Sequence, residues 1–493
     1  MAPLRADLWC ERDPFALGVA SGYPQPRSMV LWTRLAPEPL APDGGLPAEI
    51  IQVAWELARD PGFRQIAASG TVYAEPAWAH SVHVEPEGLE PEQTYWYRFH
   101  ALGATSPVGR TRTAPAQYAP VSRLRLGVGS CQHYAQGWFG VYRYVAADAL
   151  DLFLHLGDYI YESTWGDDLV RSQGGQEPVT LTDYRRHHAL YKTDPDLQAA
   201  HASCPWLMVW DDHEVENDYA GAISQNNDDP AWFLKRRAVA YRAYYEHMPL
   251  PRTMVPLGPS MRIHTRLHHG ALADLHLLDN RQYRSPQPCP KPGRAGAAII
   301  RDCNQRLDPA ATLLGTRQEQ WLAANLRAST AHWNLLGQQT LMAQADSAPG
   351  PGQAFFSDGW DGYPAARQRL LDILAEPQPR NPVVLGGDVH AFWVADLKKN
   401  FDDPRSATVA SEFVTTSITS QSLPEDRIQA TVRENPHLRY ANGTERGYLR
   451  LDVTPERVRA DLLAVPSVKV RAPSCHVQAS FIVEKDRPGP VPI

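Results

Sequence analysis

Cys131, Asp158, Tyr161, Asp212, Asn217, Asp388 and His390 are side chains of the kinds that hold metal ions, and most of them stand just after short apolar runs. The run 123–128 leads into Gly129-Ser130-Cys131, the run 150–156 into Gly157-Asp158, and the run 206–210 into Asp211-Asp212-His213. Residues 272–278 end at Asp279, and 382–385 at Gly386-Gly387-Asp388. Singly, each residue has a plainer reading. A strand-end aspartate usually caps a helix or shapes a turn, and a lone cysteine is a small hydrophobe. His390 fits a hydrogen-bonded core, while Asp212, His213, Glu214 and Asn217 fit a solvated loop. Packing alone does not place donors after one apolar run after another, however, and in α/β sheets ligands bind outside the carboxyl ends of the strands.

The donor types define the chemistry. Asp158, Asp212, Asn217 and Asp388 offer hard oxygens, which suit a hard cation. Tyr161, Cys131 and His390 add a phenolate, a thiolate and an imidazole, a set that favours ferric iron over magnesium. Asp158 follows the second run, where one carboxylate can bridge two ions. Two ions about 3.5–4 Å apart activate a water and stabilise an in-line phosphoryl displacement. Residue types alone therefore point to a binuclear or larger metallohydrolase.

The elements that must position these residues fall into two zones. Residues 1–117 read as a β-sandwich: Val30-Leu31-Trp32-Thr33 is a short apolar strand, and 51–57 alternates apolar with polar residues. Tyr95, Tyr97 and Phe99 share one face of a strand that follows Leu89-Glu90-Pro91, the spacing of a tyrosine corner in immunoglobulin-like and fibronectin type III sandwiches. A Pro/Ala-rich linker at 113–120 leads into residues 118–493, where apolar strands alternate with helical stretches such as 233–247 and 316–328. Gly (33) and Pro (43) are used above average, as in a loop-rich enzyme.

Charge and cysteines narrow the setting. A net charge of −7 lacks the basic footprint of a nucleic-acid binder. No apolar stretch is long enough for a transmembrane helix, and Met1-Ala2-Pro3 carries no signal-peptide pattern. Cys289 and Cys303 bracket a Pro/Gly-rich stretch, so a disulfide closing that loop is expected over a pair of buried thiols. Such a bridge implies work outside the cytoplasm. Cys10, Cys204 and Cys475 stay unassigned.

The motifs together resemble the PhoD-type alkaline phosphatases of the metallophosphoesterase superfamily. Asp13-Pro-Phe-Ala-Leu-Gly-Val-Ala-Ser-Gly22 and Val30-Leu-Trp-Thr-Arg-Leu-Ala-Pro37 match the family's opening. Gly129-Ser-Cys-Gln-His133, His155-Leu-Gly-Asp-Tyr-Ile-Tyr-Glu162 and Trp210-Asp-Asp-His-Glu-Val-Glu-Asn217 match its metal-site blocks. Leu278-Asp-Asn-Arg-Gln-Tyr-Arg284, the block 356–364 and Gly387-Asp-Val-His-Ala391 complete the series. Each string is weak alone; in this order they are specific. The resemblance implies an α/β fold in which a four-layer αββα catalytic domain follows the sandwich. It implies a phosphoesterase that hydrolyses phosphomonoesters, phosphodiesters or both through a metal-activated hydroxide. It further implies Fe³⁺ on Cys131, Asp158, Tyr161 and His390, and Ca²⁺ on Asp158, Asp212, Asn217 and Asp388, with other divalent metals as alternatives. Between Asp211 and Asp212, the family pattern favours Asp212. His213 would contact phosphate or protonate the leaving alkoxide. Arg281 or Arg284 would clamp phosphate oxygens, against the alternative of a structural ion pair. No covalent phosphoenzyme is required; Ser130 is a nucleophile candidate only by standing beside Cys131.

The sequence departs from the family pattern at Ser21-Gly22-Tyr23 and at Asn217-Asp218, where paired asparagines are commoner. From Gly447 onward it reads as strands, 448–453 and 458–463, then a Pro-rich tail, where some relatives carry a helix over the site. The expected consequence is an open site that admits bulkier diesters. A small-molecule or polymeric phosphate ester is the expected substrate, with no specific nucleic-acid binding, a monomeric chain, and a periplasmic or secreted location. The alternatives are a phospholipase D-like activity on lipid or teichoic-acid diesters and a non-catalytic adhesion or carbohydrate-binding protein.

Overall fold

The apolar runs that end in candidate ligands form strands buried on both faces. In the computed structural model, which describes residues 4–5 and 10–493, a ten-stranded sheet contains β1 (Val19–Gln25), β2 (Ser28–Arg34), β3 (Ser81–Val84), β4 (Leu124–Gly129), β5 (Leu152–His155) and β6 (Pro205–Met208). A seven-stranded sheet contains β7 (Ala273–Leu277), β8 (Trp333–Gly337), β9 (Pro382–Gly386) and β10 (Thr408–Val414). Strands β4–β6 run parallel, as do β7–β10. Every residue of β5, β6, β8 and β9 is buried. An unbroken apolar run is what a parallel strand covered on both faces needs.

Alternation of side chains builds the layers. Leu335, Val383, Leu385 and Phe413 share a core with Leu126 and Leu154 of the first sheet. Their neighbours Leu336, Val384 and Val414 point the other way, against Leu322, Leu326, Leu370 and Leu371 of the helices Thr316–Ala328 and Pro364–Leu374. Helices Leu181–Lys192, Pro195–Ser203 and Pro230–His247 bury Tyr184, Leu197 and Phe233 in the core of the first sheet. Gly337 lets the sheets approach: a Cβ there would meet Leu154 Cδ2 at 2.9 Å. The result is the four-layer αββα arrangement.

The N-terminal sandwich shares one of its leaves with this catalytic sheet. Val53, Leu57, Tyr95, Tyr97 and Phe99 of a separate six-stranded sheet pack on Val19, Leu31, Val82 and Val84 of β1–β3. Yet β1 pairs in parallel with β6, Pro205 opposite Ser21 and Trp206 opposite Gly22. The tyrosine corner is present, with the Glu90 N–H donating to Tyr95 Oη at 3.1 Å. At the other end, Arg446–Val453 pairs antiparallel with β4 and begins a ladder through Arg457–Val465 and His476–Glu484. The expected Pro-rich tail is in fact an edge strand, Arg487–Pro492. Proline is tolerated there because an edge leaves one row of N–H positions unpaired. Cys289 and Cys303 form a disulfide, whereas Cys10, Cys131, Cys204 and Cys475 are free. Among the described residues, no helix is long and apolar enough to cross a membrane.

Candidate metal centre

Sharp backbone turns present the donors as soon as each strand ends. Cys131 (φ 60°), Asp158 (φ 55°), Asp388 (φ 65°) and His390 (φ 54°) all adopt the left-handed conformation, uncommon for residues with a Cβ. Such strain persists only where surrounding bonds enforce it, and it collects at functional sites. Here the Cys131 N–H donates to Gly157 O at 3.1 Å and the Gln132 N–H to Asp158 O at 3.0 Å. The Glu214 carboxylate accepts N–H groups from Asp158 (3.1 Å), Tyr159 (2.6 Å) and Asp211 (2.8 Å), tying the loops after β5 and β6 together. Gly157 permits that approach, since a Cβ would lie 2.5 Å from Asp211 N.

The donor atoms converge in overlapping groups, each within 4.8 Å: Cys131, Asp158 and His390; Asp158, Asp212 and His213; Asp158, Asp211 and Asp388; Asp212, Asp218 and Asp358. Asp158 belongs to the first three. Tyr161 Oη lies 2.9 Å from Asp158 Oδ2 and 3.1 Å from His390 Nε2, and accepts a bond from Ser420 Oγ at 2.8 Å. His390 Nδ1 stands 2.7 Å from Gln421 O. That contact assigns the proton to Nδ1 and turns the Nε2 lone pair toward Asp158 and Tyr161, the usual support of a metal-binding imidazole. Burial depresses His390 to about 3, so it is neutral, as a ligand must be.

The residues present fit cations. Asp158 Oδ1, Asp211 Oδ2 and Asp212 Oδ1 are buried with no hydrogen-bond partner. Buried anionic oxygens are costly unless paired with protons or cations. Burial and the neighbouring aspartates push Asp158 well above the usual carboxylate range, against the pull of His213. Burial, Asp158 and Asp388 push the Cys131 thiol up, and burial with Asp158 and Cys131 does the same to the Tyr161 phenol. Without a cation these groups hold protons; a metal displaces them.

Two buried arginines face the carboxylates on the far side. Arg281 Nη1 and Nη2 donate to the two oxygens of Asp358 at 2.8 and 2.6 Å, and its Nε donates to Asp211. Its Nη2 is also 3.4 Å from Asp212 Oδ1, close enough for attraction but not aligned as a hydrogen bond. Arg284 Nη1 donates to Asp358 at 2.8 Å. Both guanidiniums are buried, and every nitrogen of Arg281 already faces a carboxylate. That geometry matches the structural ion pair held open as the alternative to a phosphate clamp.

His213 and Asn217 sit on opposite ends of one carboxylate. Glu162 Oε2 takes His213 Nδ1 at 2.7 Å, and Oε1 takes the Asn217 N–H at 3.0 Å. Burial alone would depress His213, but Glu162, Asp212 and Asp158 hold it well above an ordinary histidine. With Nδ1 committed to Glu162, Nε2 is the nitrogen left for Asp158 and Asp212. The Asn217 Nδ2 donates to Gln225 at 3.0 Å. Asp218, its neighbour, joins Asp212 and Asp358 instead.

Sequence reasoning gave no ligand or positioning role to Asp218, Asp358, Glu214 or Glu162, although it noted Asp218 as a departure from the family pattern and Glu214 as fitting a solvated loop. Asp218 and Glu162 stand in or beside the quoted motifs, where an unassigned acid was the available signal. Asp358 follows only a two-residue strand, Phe355–Phe356, so no apolar run announced it. Glu214 acts on backbone N–H groups, which leave no trace in side-chain spacing.

Known proteins share both halves of this architecture. The family model for PhoD-like phosphatases matches residues 126–462, and that for the N-terminal domain of PhoD-like phosphatases matches residues 4–115. Alkaline phosphatase D of Bacillus subtilis (strain 168) is 44% identical over 486 residues, covering 97% of this chain and 82% of that protein. A solved structure of PhoD superposes with a TM-score of 0.93 at 43% identity, covering 98% of this chain and 93% of that one.

Proposed function

Since the chain belongs to the PhoD-like phosphatase family and is a metal-dependent phosphoric ester hydrolase, we propose that its strand-end centre performs the hydrolysis with ferric iron and calcium. The observation that carries this reading is Asp158, whose carboxylate is common to three donor groups and keeps one buried oxygen unpaired. Cys131, Tyr161, His390 and Asp158 would hold the iron, because a strongly charged trivalent ion suits anionic phenolate, carboxylate and thiolate donors completed by an imidazole. Asp158, Asp212, Asn217 and Asp388 would hold calcium, with Asp211, Asp218 and Asp358 as further oxygen donors beside them. Bound there, the cations supply Lewis acidity that lowers the pKa of water and offsets charge on the phosphoryl oxygens.

The protein's own groups have distinct tasks. His213, fixed through Nδ1 by Glu162, directs Nε2 into the centre to donate a hydrogen bond to phosphate or a proton to the departing alkoxide as the P–O ester bond breaks. Arg281 and Arg284 hold Asp211 and Asp358 in place as counter-ions, and Glu214 fixes the backbone that carries Asp158 and Asp211. Water attacks phosphorus directly, so no side chain needs to become phosphorylated. Family membership favours phosphomonoester or phosphodiester hydrolysis over the phospholipase D-like and non-catalytic alternatives. The Cys289–Cys303 disulfide supports a periplasmic or secreted location, since oxidising compartments preserve such bonds.

The test is hydrolysis of an aryl phosphomonoester and a bis-aryl phosphodiester by protein purified without chelators, with a visible spectrum recorded on the same sample. Tyrosinate on ferric iron gives a charge-transfer band. A colourless, active, iron-free protein contradicts the assignment of Tyr161.

A further inference from the structure

A tryptophan stands at the rim of this centre with a third of its surface open. Trp165 is 37% exposed, and its ring lies nearly parallel to that of His390, 11° between planes and 6.0 Å between centroids. The His133 ring meets it edge-on at 5.7 Å, and Tyr161 lies 6.5 Å away. The other groups gathered here are carboxylates, imidazoles, amides, one thiol and one buried phenol, so a large exposed indole beside a metal-type histidine stands out among its surroundings.

The backbone that carries the ring is tied to the same glutamine that orients His390, and the ring itself rests against His390 and His133. Gln421 O accepts from His390 Nδ1 at 2.7 Å, and the Gln421 N–H donates to Gln136 Oε1 at 2.7 Å. Gln136 Nε2 then donates to Trp165 O at 2.8 Å, and Gln421 Nε2 to Asp167 O at 2.9 Å. Gly166 (φ 84°) has a backbone conformation that other residues rarely adopt, and a Cβ there would press on the Gln421 amide, 2.5 Å from its Oε1. A large aromatic surface carried on an already ordered backbone binds with a smaller loss of conformational freedom.

We propose that Trp165 is the platform on which the organic group of the ester rests, and that it selects planar aromatic alcohols over aliphatic ones. The inference deepens the phosphoesterase reading and rests on it. A phosphoryl group among the donors around Asp158 would turn its ester substituent toward solvent, and the partly exposed indole, 6.0 Å from the His390 ring, is the aromatic surface offered on that side. Offset stacking of two rings exceeds the contact an alkyl chain makes on the same face. Trp165 therefore acts as a specificity-determining residue that touches substrate and takes no proton.

Kinetics of holoenzyme with 4-nitrophenyl phosphate and glycerol 2-phosphate test this in Trp165→Ala and Trp165→Phe. The proposal expects KM for the aryl ester to rise about tenfold in the alanine variant, with kcat moving far less. It also expects a much smaller change in kcat/KM for glycerol phosphate, recovery in the phenylalanine variant, and unchanged iron content and visible absorption. Equal losses on both esters, no recovery with phenylalanine, or loss of iron overturns it, the last because the ring would then be acting through His390. If the parent protein hydrolyses neither of these monoesters nor the bis-aryl phosphodiester, the phosphoesterase reading itself fails, an outcome separate from the ratio that tests Trp165. A parent active only on diesters is tested by the same ratio on bis(4-nitrophenyl) phosphate and a dialkyl phosphate.

Discussion

The two sides of the centre handle buried charge in opposite ways. On one side, Cys131, Tyr161 and His390 lie among neutral supports, Ser420 Oγ and the Gln421 carbonyl. Among the described residues no arginine is hydrogen-bonded to them, although Arg446 adds to the burial that lowers His390. On the other, Asp211 and Asp358 are paired with Arg281, and Asp358 also with Arg284. Asp158 joins the two. The first side can discharge its thiol and phenol only by accepting a strongly charged ion, whereas the second arrives partly neutralised and needs only a weaker, oxygen-seeking one. On the proposed assignment, the difference teaches that cation selection would depend on the counter-charges behind the ligands as well as on the ligands themselves.

Four substitutions would break or sharpen that contrast. The largest effect is expected at the junction. Asp158→Ala should lower kcat/KM by at least about 10³-fold, since it removes a donor from three groups at once, while circular dichroism stays native. Retained activity would dissolve the junction and the contrast with it. Next is Arg281→Met, which leaves Asp211 and Asp358 buried without their counter-ion and should destabilise the protein by about 3 kcal/mol in urea. Added calcium should restore part of that loss, and an unaffected midpoint would mean that the arginine is not the counter-charge claimed for it. Tyr161→Phe keeps the ring and removes one donor from the uncharged side. Its kcat/KM should fall about 10–100-fold and the visible band should vanish, with little change in Tm.

The smallest effect concerns a buried cation that has neither a metal nor a carboxylate. Lys192 lies under Trp32 and Tyr159, 4.3 and 5.4 Å from their ring centres, and it bears on the buried imidazoles of His188, His201 and His247. Burial pushes it down to about 7. Because the folded value is below the unfolded one, the native state binds fewer protons between about pH 7 and pH 10, and stability rises with pH across that window. Lys192→Met should flatten this slope and stabilise the protein near neutral pH by about 1 kcal/mol. Urea unfolding at both ends of the window would show it, and an unaltered slope would assign the titration elsewhere.

Much of the centre was legible in the sequence because short parallel strands are unbroken apolar runs and their ends are the places where ligands gather. Cys131, Asp158, Asp212, Asp388 and His390 could be found that way, and the structure brings them together. Tyr161 needed only its three-residue spacing from Asp158. Long-range pairing was not legible. Nothing in residues 19–34 signals that β1 will lie beside β6, nearly two hundred residues later, because register between distant strands depends on the assembled core. For the same reason the sequence suggested a separate sandwich where the structure shows a shared leaf. Asp358 was missed because its partner Arg281 lies 77 residues away and no strand of useful length precedes it. Arg281 itself was recognisable as a charge beside phosphate chemistry, but the sequence could not tell which anion it would face.

The central claim is that one centre has two chemically different sides. Elemental mass spectrometry of chelator-free protein, run in parallel on Cys131→Ser and Asp358→Asn, tests it most directly. The account predicts iron and calcium together in the parent, loss of iron with calcium retained in the serine variant, and weakened calcium with iron retained in the asparagine variant. A single metal such as zinc filling the parent protein, or both metals lost together in each variant, would contradict it.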